Sequence, residues 1–174
     1  GGTFNITLPS SNNGGKAISS DTNITISDGT FTLTTNGPGG VYTNSNGVTD
    51  SYTCTCIKSD GNLTITGGNL TCTSTGAGGK GIKLNGTATF GTIGGNDDDF
   101  TLTLTTSGER FYVSGSGWNI DYANPKVLKS DGIMTINSGY ISSNGLQTSN
   151  EGGEAIECES VMTINGGTIE AYSN

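Results

Sequence analysis

The fold is decided by a stretch that reads Ala17-Ile18-Ser19-Ser20-Asp21-Thr22-Asn23-Ile24-Thr25-Ile26. The same pattern of apolar and polar residues recurs along the 174-residue chain, at 56–65, 81–90, 127–136 and 155–164. The large apolar residues at the second position of successive copies are 39, 25, 46 and 28 residues apart. A repeat of this kind is typical of proteins that stack one structural unit on the next.

Each copy predicts short strands separated by glycine-rich turns. Alternation within the first copy directs Ile18, Ile24 and Ile26 to one face, because side chains in a strand point to opposite sides in turn. Most copies continue through a glycine into a third strand, as at 31–33, 70–72, 141–143 and 169–171. We expect Phe100-Thr101-Leu102 to fill the same position in the third copy, and Phe4-Asn5-Ile6 to precede the first. The turns read Asp-Gly, Gly-Gly or Ser-Gly, which are common turn pairs.

A single copy cannot bury its own apolar side chains, but copies stacked about 4.8 Å apart can. Stacking predicts two neighbouring interior columns. One contains Ile24, Leu63, Ala88, Met134 and Met162, and the other contains Ile26, Ile65, Phe90, Ile136 and Ile164. The chain is therefore predicted to be all-β, a right-handed single-stranded parallel β-helix (a solenoid) of about five coils, forming one domain over 1–174. The handedness follows from the general preference of parallel crossovers.

Two insertions interrupt the repeat, near 36–55 and 104–126. Both fall between the third strand of one coil and the first strand of the next. Because they share this phase, we expect them on the same side of the solenoid, two coils or roughly 10 Å apart.

Composition excludes several classes of partner. The net charge is −8, with no histidine and a single arginine, Arg110. Nucleic acids and anionic membranes require clustered basic residues, so neither is expected as a partner. No apolar run approaches the roughly 20 residues of a transmembrane helix, so no membrane span is expected. An acidic chain of this kind is compatible with neutral glycans and with divalent cations.

The four cysteines lack the spacing of a zinc or redox site. Cys56, Cys72 and Cys158 occupy positions held in other copies by small or apolar residues, so we expect them to fill the core. A disulfide among these residues and Cys54 is left open.

Several repeat segments resemble those of a known family. They are Gly79-Lys80-Gly81-Ile82-Lys83, the stretch 63–68, the stretch 124–132, and Gly152-Gly153-Glu154-Ala155-Ile156-Glu157. They look like the β-helical carbohydrate-binding proteins on the surfaces of polysaccharide-degrading bacteria. The resemblance implies a pectate-lyase-like fold and binding of a polysaccharide, from plant cell walls or a host, without catalysis. It also implies calcium sites on the coils and an extracellular or cell-surface location. Because the chain starts at Gly1 rather than Met, we expect it to be a fragment of a longer secreted protein.

Aromatic residues in the insertions are the first candidates for sugar contact. They are Tyr112, Trp118 and Tyr122 in one insertion and Tyr42 and Tyr52 in the other. Flat rings suit the apolar C–H faces of sugars and carry polar tips for hydroxyls. The alternative is that these rings pack the insertions onto the solenoid.

Lysines are the second candidates. Lys58 and Lys129 share one outward position with Lys83, and this position is Ser19 and Glu157 in the end coils. They could clamp an acidic sugar, or they could serve solubility, with Lys129 pairing with Glu157 of the next coil.

Carboxylates define the candidate calcium sites. Asp97, Asp98 and Asp99 are adjacent, Glu151, Glu154, Glu157 and Glu159 form a second cluster, and Asp131 recurs at a turn position with Asp21 and Asp60. Calcium binds six to eight oxygen atoms, which carboxylates and loop carbonyls can provide. The alternatives are a solvated loop tip for the aspartate run and Asx turns for the recurring aspartates, each accepting backbone N–H groups of its own turn.

Three functions follow, in descending order of support. The first is a non-catalytic polysaccharide-binding module, and the second is a structural or adhesive β-helix. The third is a pectate-lyase-like enzyme, for which a lysine would have to act as the base. Exposed end strands favour edge-to-edge pairing, so an end-to-end oligomer is a further expectation.

Overall fold

The structure is a computed structural model that describes residues 1–147 and 153–174. Three parallel sheets dominate it. Sheet A contains β1 (Thr3–Leu8), β4 (Thr30–Thr35), β9 (Gly68–Ser74), β12 (Phe100–Thr106), β17 (Tyr140–Gly145) and β20 (Thr168–Ser173). Sheet B contains β2 (Lys16–Ser20), β7 (Thr55–Ser59), β10 (Lys80–Leu84), β15 (Lys126–Ser130) and β18 (Glu154–Cys158). Sheet C contains β3 (Ile24–Ile26), β8 (Leu63–Ile65), β11 (Ala88–Phe90), β16 (Met134–Ile136) and β19 (Met162–Ile164).

The chain visits the three sheets in a fixed order. After β1, each round adds one strand to sheet B, one to sheet C and one to sheet A, and every strand pairs in parallel with its equivalent in the neighbouring round. Helical structure in the described residues is limited to one 3₁₀ turn, Asp97–Asp99. The predicted all-β character and the parallel pairing are therefore confirmed. No helix in this part of the chain has the length and hydrophobicity needed to cross a bilayer.

The interior columns are those that the repeat predicts. In sheet C the registers join Ile24, Leu63, Ala88, Met134 and Met162 in one column and Ile26, Ile65, Phe90, Ile136 and Ile164 in the next. A third column in sheet B contains Ile18, Ile57, Ile82, Leu128 and Ile156. The central members are fully buried, and each such side chain contributes roughly 1.5–3 kcal/mol. The columns end in the exposed side chains of Met162 and Ile164.

The register predicted for Phe100 is wrong by two residues. Leu102, and not Phe100, pairs with Leu70 of the previous round, while Phe100 pairs with Gly68. The Phe100 ring lies over Gly139, where a Cβ atom would approach it to 2.1 Å, and its centroid is 6.4 Å from that of Phe90. The glycine of the next round leaves room for this ring, so the phenylalanine fills the corner and Leu102 takes the column position.

The two insertions form antiparallel hairpins. Hairpin 1 consists of β5 (Gly40–Thr43) and β6 (Thr49–Tyr52), and hairpin 2 of β13 (Phe111–Ser114) and β14 (Asp121–Ala123). Both connect sheet A to sheet B, as predicted. They also meet, because Phe111 packs against Gly39 and Gly78, and the Gly78 amide donates to the Glu109 carbonyl over 2.7 Å.

The turns between sheets B and C are capped differently from the prediction. The amides of Asn62 and Thr87 donate to the side chains of Asn23 and Asn62 of the preceding round, over 2.9 and 2.8 Å. Asp60 instead accepts from Lys58 and from Asn85 of the next round. Asparagine side chains, and not the recurring aspartates, therefore accept these turn amides.

Candidate functional site

All six lysines of the chain lie on sheet B, in two adjacent columns. The column predicted from the sequence contains Ser19, Lys58, Lys83, Lys129 and Glu157, and its register is confirmed. The second column contains Lys16, Thr55, Lys80, Lys126 and Glu154. A protein with a net charge of −8 thus concentrates its lysines on one sheet.

Hairpin 1 and sheet B enclose a cleft of about 640 Å³, which we call the Tyr–Lys cleft. It is lined by Lys16, Tyr42, Asp50, Ser51, Tyr52, Thr53, Thr55, Lys58, Lys80 and Lys83. Of the residues predicted to contact sugar, Tyr42, Tyr52 and Lys58 come together here. The lining contains four lysines and one carboxylate, so the cleft favours an anionic ligand.

Tyr52 is fixed in place by two glycines. A Cβ atom on Gly14, which has a φ of +64°, would lie 1.9 Å from the Tyr52 ring, and one on Gly40 would lie 2.5 Å from it. The ring therefore rests directly on backbone, with the Lys16 ammonium 5.9 Å from its centroid. Tyr42 lies across the hairpin, with the two ring centroids 6.2 Å apart, and its hydroxyl donates to Asp50 over 3.0 Å. This hydrogen bond is the main reason that the pKa of Tyr42 is raised.

The lysines on the cleft floor differ in their electrostatic state. Lys80 donates to the Thr53 hydroxyl at 2.7 Å and to the Gly78 carbonyl at 3.1 Å. Burial, followed by repulsion from neighbouring lysines, lowers the pKa of Lys80 to about 7. Burial, followed by the charge of Lys58, also lowers the pKa of Lys16. Among the described residues, no carboxylate lies within ion-pair distance of Lys16, Lys80 or Lys83.

The far end of sheet B is neutralised by its own carboxylates. Lys126 pairs with Glu154 and, at 2.9 Å, with Glu157. Lys129 pairs with Glu157 at 3.1 Å, as predicted, and also with Asp131 and Glu159. We call these residues the paired cluster. Burial opposes the charge on Lys129, but hydrogen bonds to Glu159 and Glu157 outweigh it, so the pKa of Lys129 is raised. Lys129, predicted as a sugar contact, thus has carboxylate partners within the protein.

The aromatic residues of hairpin 2 do not line the cleft. Trp118 is fully exposed, and Tyr112 is exposed with its hydroxyl donating to the Gly115 carbonyl at 2.6 Å. Tyr122 is half-buried in edge-to-face contact with Tyr112, and the Arg110 guanidinium lies 3.8 Å from the Tyr122 centroid. Sugar contact by these three residues stays a prediction.

The predicted calcium ligands are engaged elsewhere. Asp97 accepts from Thr168, and Asp99 accepts from the Asn96 amide and from Ser138 at 2.9 Å. Within residues 1–147 and 153–174, no three His, Cys, Asp or Glu side chains are grouped to hold a metal ion. Glu154, Glu157 and Asp131 belong to the paired cluster, and Glu151 lies outside the described residues. Calcium binding, including that by Asp98, therefore stays a prediction.

The four cysteines are free thiols. Cys56 and Cys72 are fully buried in the core, as predicted, whereas Cys158 is half-buried. A hydrogen bond shared with Cys56, followed by burial, raises the pKa of the Cys72 thiol.

Sequence reasoning missed Lys16 and Lys80 as cleft residues. The signal was present, because each lysine stands two residues before the interior isoleucine of its copy, as Lys126 does before Leu128. Strict alternation would turn such a position inward. In the structure, Gly81 and Ile82 are both buried between the outward-facing Lys80 and Lys83, so the strand presents two lysines on the same side.

No protein-family model, curated protein or solved structure matches the chain. The resemblance to β-helical carbohydrate-binding proteins therefore stays a prediction, and the geometry of the site carries the functional argument.

Proposed function

We propose that this chain is a non-catalytic module that binds a carboxylate-bearing polysaccharide in the Tyr–Lys cleft. One observation carries the proposal: two tyrosines and four lysines line one cleft in a chain whose net charge is −8. Tyrosine rings offer flat apolar area for sugar faces at low entropic cost. The ammonium groups of Lys16 and Lys83, which have no carboxylate partner among the described residues, can pair with uronate carboxylates. A basic cleft also steers an anionic chain towards itself.

The proposed architecture is a right-handed single-stranded parallel β-helix. It is supported by the constant order of the strands through sheets B, C and A and by the in-register parallel pairing of successive rounds. Right-handed crossovers are proposed because connections between parallel β-strands are right-handed in nearly all proteins. On this architecture both hairpins belong to one side of the solenoid.

An extracellular or cell-surface location is part of the proposal, because carboxylate-bearing polysaccharides are found outside cells. An adhesive role is the second candidate. It is supported by hairpin 2, which does not line the cleft and carries the fully exposed Trp118. An exposed tryptophan can contact a protein partner, because its ring is apolar and its N–H is polar.

Affinity for polygalacturonate, measured by isothermal titration calorimetry, tests the proposal. The matched variants are Tyr52→Ala in the cleft and Tyr122→Ala in hairpin 2. We expect Tyr52→Ala to weaken binding by tenfold or more, the effect of removing a central aromatic contact, roughly 1.4 kcal/mol or above. Tyr122→Ala should leave it within about twofold, as expected for a residue outside the binding surface.

Two controls accompany the measurement. A neutral glucan should bind at least tenfold more weakly than polygalacturonate, which corresponds to roughly 1.4 kcal/mol. Equal binding of both polymers, or equal losses in both variants, would contradict the assignment of the cleft. Unsaturated uronate absorbance in the incubation would show that the module is an enzyme.

A further inference from the structure

The Lys80 amine has two hydrogen-bond partners among the described residues, and neither is a carboxylate. It lies on the cleft floor beneath hairpin 1, where it donates to Thr53 over 2.7 Å and to the Gly78 carbonyl over 3.1 Å. Both partners are neutral acceptors, so neither stabilises a charged ammonium as strongly as a carboxylate would. The amine therefore combines burial with access to a cleft of about 640 Å³.

The charges around Lys80 favour its neutral form. Lys83 is on its own strand, Lys126 is its register neighbour on β15, and Lys129 follows on the same strand. Glu157 on β18 opposes these cations, and Asp50 on hairpin 1 lines the same cleft. Burial is the largest influence and the lysines come next, so the pKa of Lys80 falls to about 7. A large fraction of this amine is consequently unprotonated at neutral pH, whereas an ordinary lysine is almost entirely protonated.

We infer that Lys80 is a nucleophilic amine that forms an imine with an aldehyde or ketone whose carboxylate is held by the neighbouring cleft lysines. Desolvation beside other cations is a recognised way to activate a lysine towards carbonyl compounds. The inference deepens the proposed function, because it rests on anion binding by the same cleft. Its ligand class is a carbonyl compound that carries a carboxylate, whether a small 2-oxoacid or the open-chain reducing end of a uronate oligomer.

The reaction balances without a further reagent. The nitrogen lone pair attacks the carbonyl carbon, a proton moves from nitrogen to the former carbonyl oxygen, and a carbinolamine results. Loss of water then forms the C=N bond, and hydrolysis returns the amine and the carbonyl compound. Thr53 contacts the nitrogen through its hydroxyl, which can accept or return the transferred proton.

The chain supplies its own internal controls. Lys126 is the register neighbour of Lys80 one round away and Lys129 is that of Lys83, but both are paired with carboxylates. Any reagent that reports amine nucleophilicity at neutral pH should discriminate between these residues and Lys80.

The test uses glyoxylate with cyanoborohydride at pH 7, which converts each imine into a stable secondary amine. Peptide mass spectrometry then gives the modified fraction of each lysine. We expect the initial rate at Lys80 to exceed those at Lys126 and Lys129 by about tenfold or more, since Lys80 is buried with neutral partners whereas the other two are paired with carboxylates. Lys83→Gln should slow the modification of Lys80 severalfold, because it removes the cation that lowers the pKa of Lys80 most. Even labelling of the six lysines, or least labelling at Lys80, would overturn the inference.

A second arm separates the two sources of the carbonyl group. Short galacturonate oligomers should modify Lys80 under the same conditions, and oligomers with borohydride-reduced ends should not. Modification by glyoxylate alone would assign the site to small oxoacids. Polygalacturonate binding by the wild type, measured in parallel, keeps the two proposals distinguishable. Polymer binding without a Lys80 adduct would refute only the proposal of imine formation. A Lys80 adduct without polymer binding would refute only the proposal of polysaccharide binding.

Discussion

The two ends of sheet B use the same residue at the same register for different purposes. Lys83 and Lys129 are direct neighbours in one column. In the next round the column continues with Glu157, which pairs with Lys129 at 3.1 Å. In the preceding round the neighbour of Lys83 is Lys58, and Lys83 faces the Tyr–Lys cleft. Hairpin 1 covers the end that contains Lys16, Lys80 and Lys83, through Tyr52 and Thr53. Of the four cleft lysines, Lys58 is the one that pairs with a carboxylate among the described residues, that of Asp60.

This difference separates structural lysines from binding lysines. A carboxylate partner within the protein satisfies a half-buried lysine and leaves little of its charge for a ligand. A half-buried lysine without a carboxylate partner either keeps its charge or loses its proton, and either state lowers the free energy of unfolding. The comparison therefore predicts that substitutions at the paired cluster change stability, and that those in the cleft change binding.

The strongest test of this comparison replaces each of the two neighbouring lysines separately, as Lys129→Gln and Lys83→Gln. Lys129→Gln should lower the free energy of unfolding by about 2 kcal/mol, because it leaves the half-buried Glu157 with one cation fewer. Lys83→Gln should change it by less than about 0.5 kcal/mol, as for an ordinary surface substitution. Urea denaturation followed by circular dichroism measures both.

Binding should show the reverse order. We expect Lys83→Gln to weaken polygalacturonate binding about tenfold, or roughly 1.4 kcal/mol, and Lys129→Gln to leave it unchanged. If both variants lost stability and affinity together, the distinction between the two ends of sheet B would be wrong.

Prediction from sequence succeeded where period-2 alternation decides the outcome. The sheet C columns and the column containing Lys58, Lys83 and Lys129 follow directly from it. It failed for Phe100, because a missing side chain at Gly139 in the next round, and not the local pattern, sets the position of that ring.

The cleft itself could not be predicted from the sequence. Its shape depends on how hairpin 1 folds back over sheet B, and that depends on Tyr52 resting on Gly14 and Gly40. Such contacts join positions that no periodicity relates. Tyr42, Tyr52 and Lys58 were each identified, but their meeting with Lys80 required the structure.

The pH dependence of stability should also differ between the two ends. For Lys80, the pKa of about 7 lies below the ordinary lysine value of 10.5, so between these values the unfolded chain binds more protons and stability rises with pH. The pKa of Lys129 is raised, so its contribution is complete below pH 10.5 and is lost only above it. We expect a rise of about 1–2 kcal/mol between pH 7 and pH 8.5.

Lys80→Met should flatten this rise, whereas Lys126→Met should preserve most of it, because burial and not Lys126 is the largest influence on the pKa of Lys80. Chemical denaturation at several pH values measures the slope, and a wild-type stability that stays constant or falls over this range would contradict the assigned state of Lys80.

At acidic pH the paired cluster should dominate the pH dependence of stability. Burial alone would raise the pKa of Glu157, but hydrogen bonds from Lys126 and Lys129 outweigh it and lower that pKa. The stability that Glu157 contributes is therefore present above its ordinary pKa and lost as the pH falls through the lowered value.

The smallest effect concerns the single carboxylate of the cleft lining. Asp50 accepts from the Tyr42 hydroxyl at 3.0 Å, and it repels an incoming carboxylate across solvent. Asp50→Asn retains an acceptor for the tyrosine but removes the charge, so affinity for polygalacturonate should increase two- to threefold, or roughly 0.5 kcal/mol. Asp121→Asn removes the same charge from hairpin 2, outside the cleft, so the two variants have the same net charge. Asp121→Asn should leave the affinity unaltered. Equal gains in both variants would mean that binding responds to overall charge, and the Tyr–Lys cleft would then lose its claim to be the binding site.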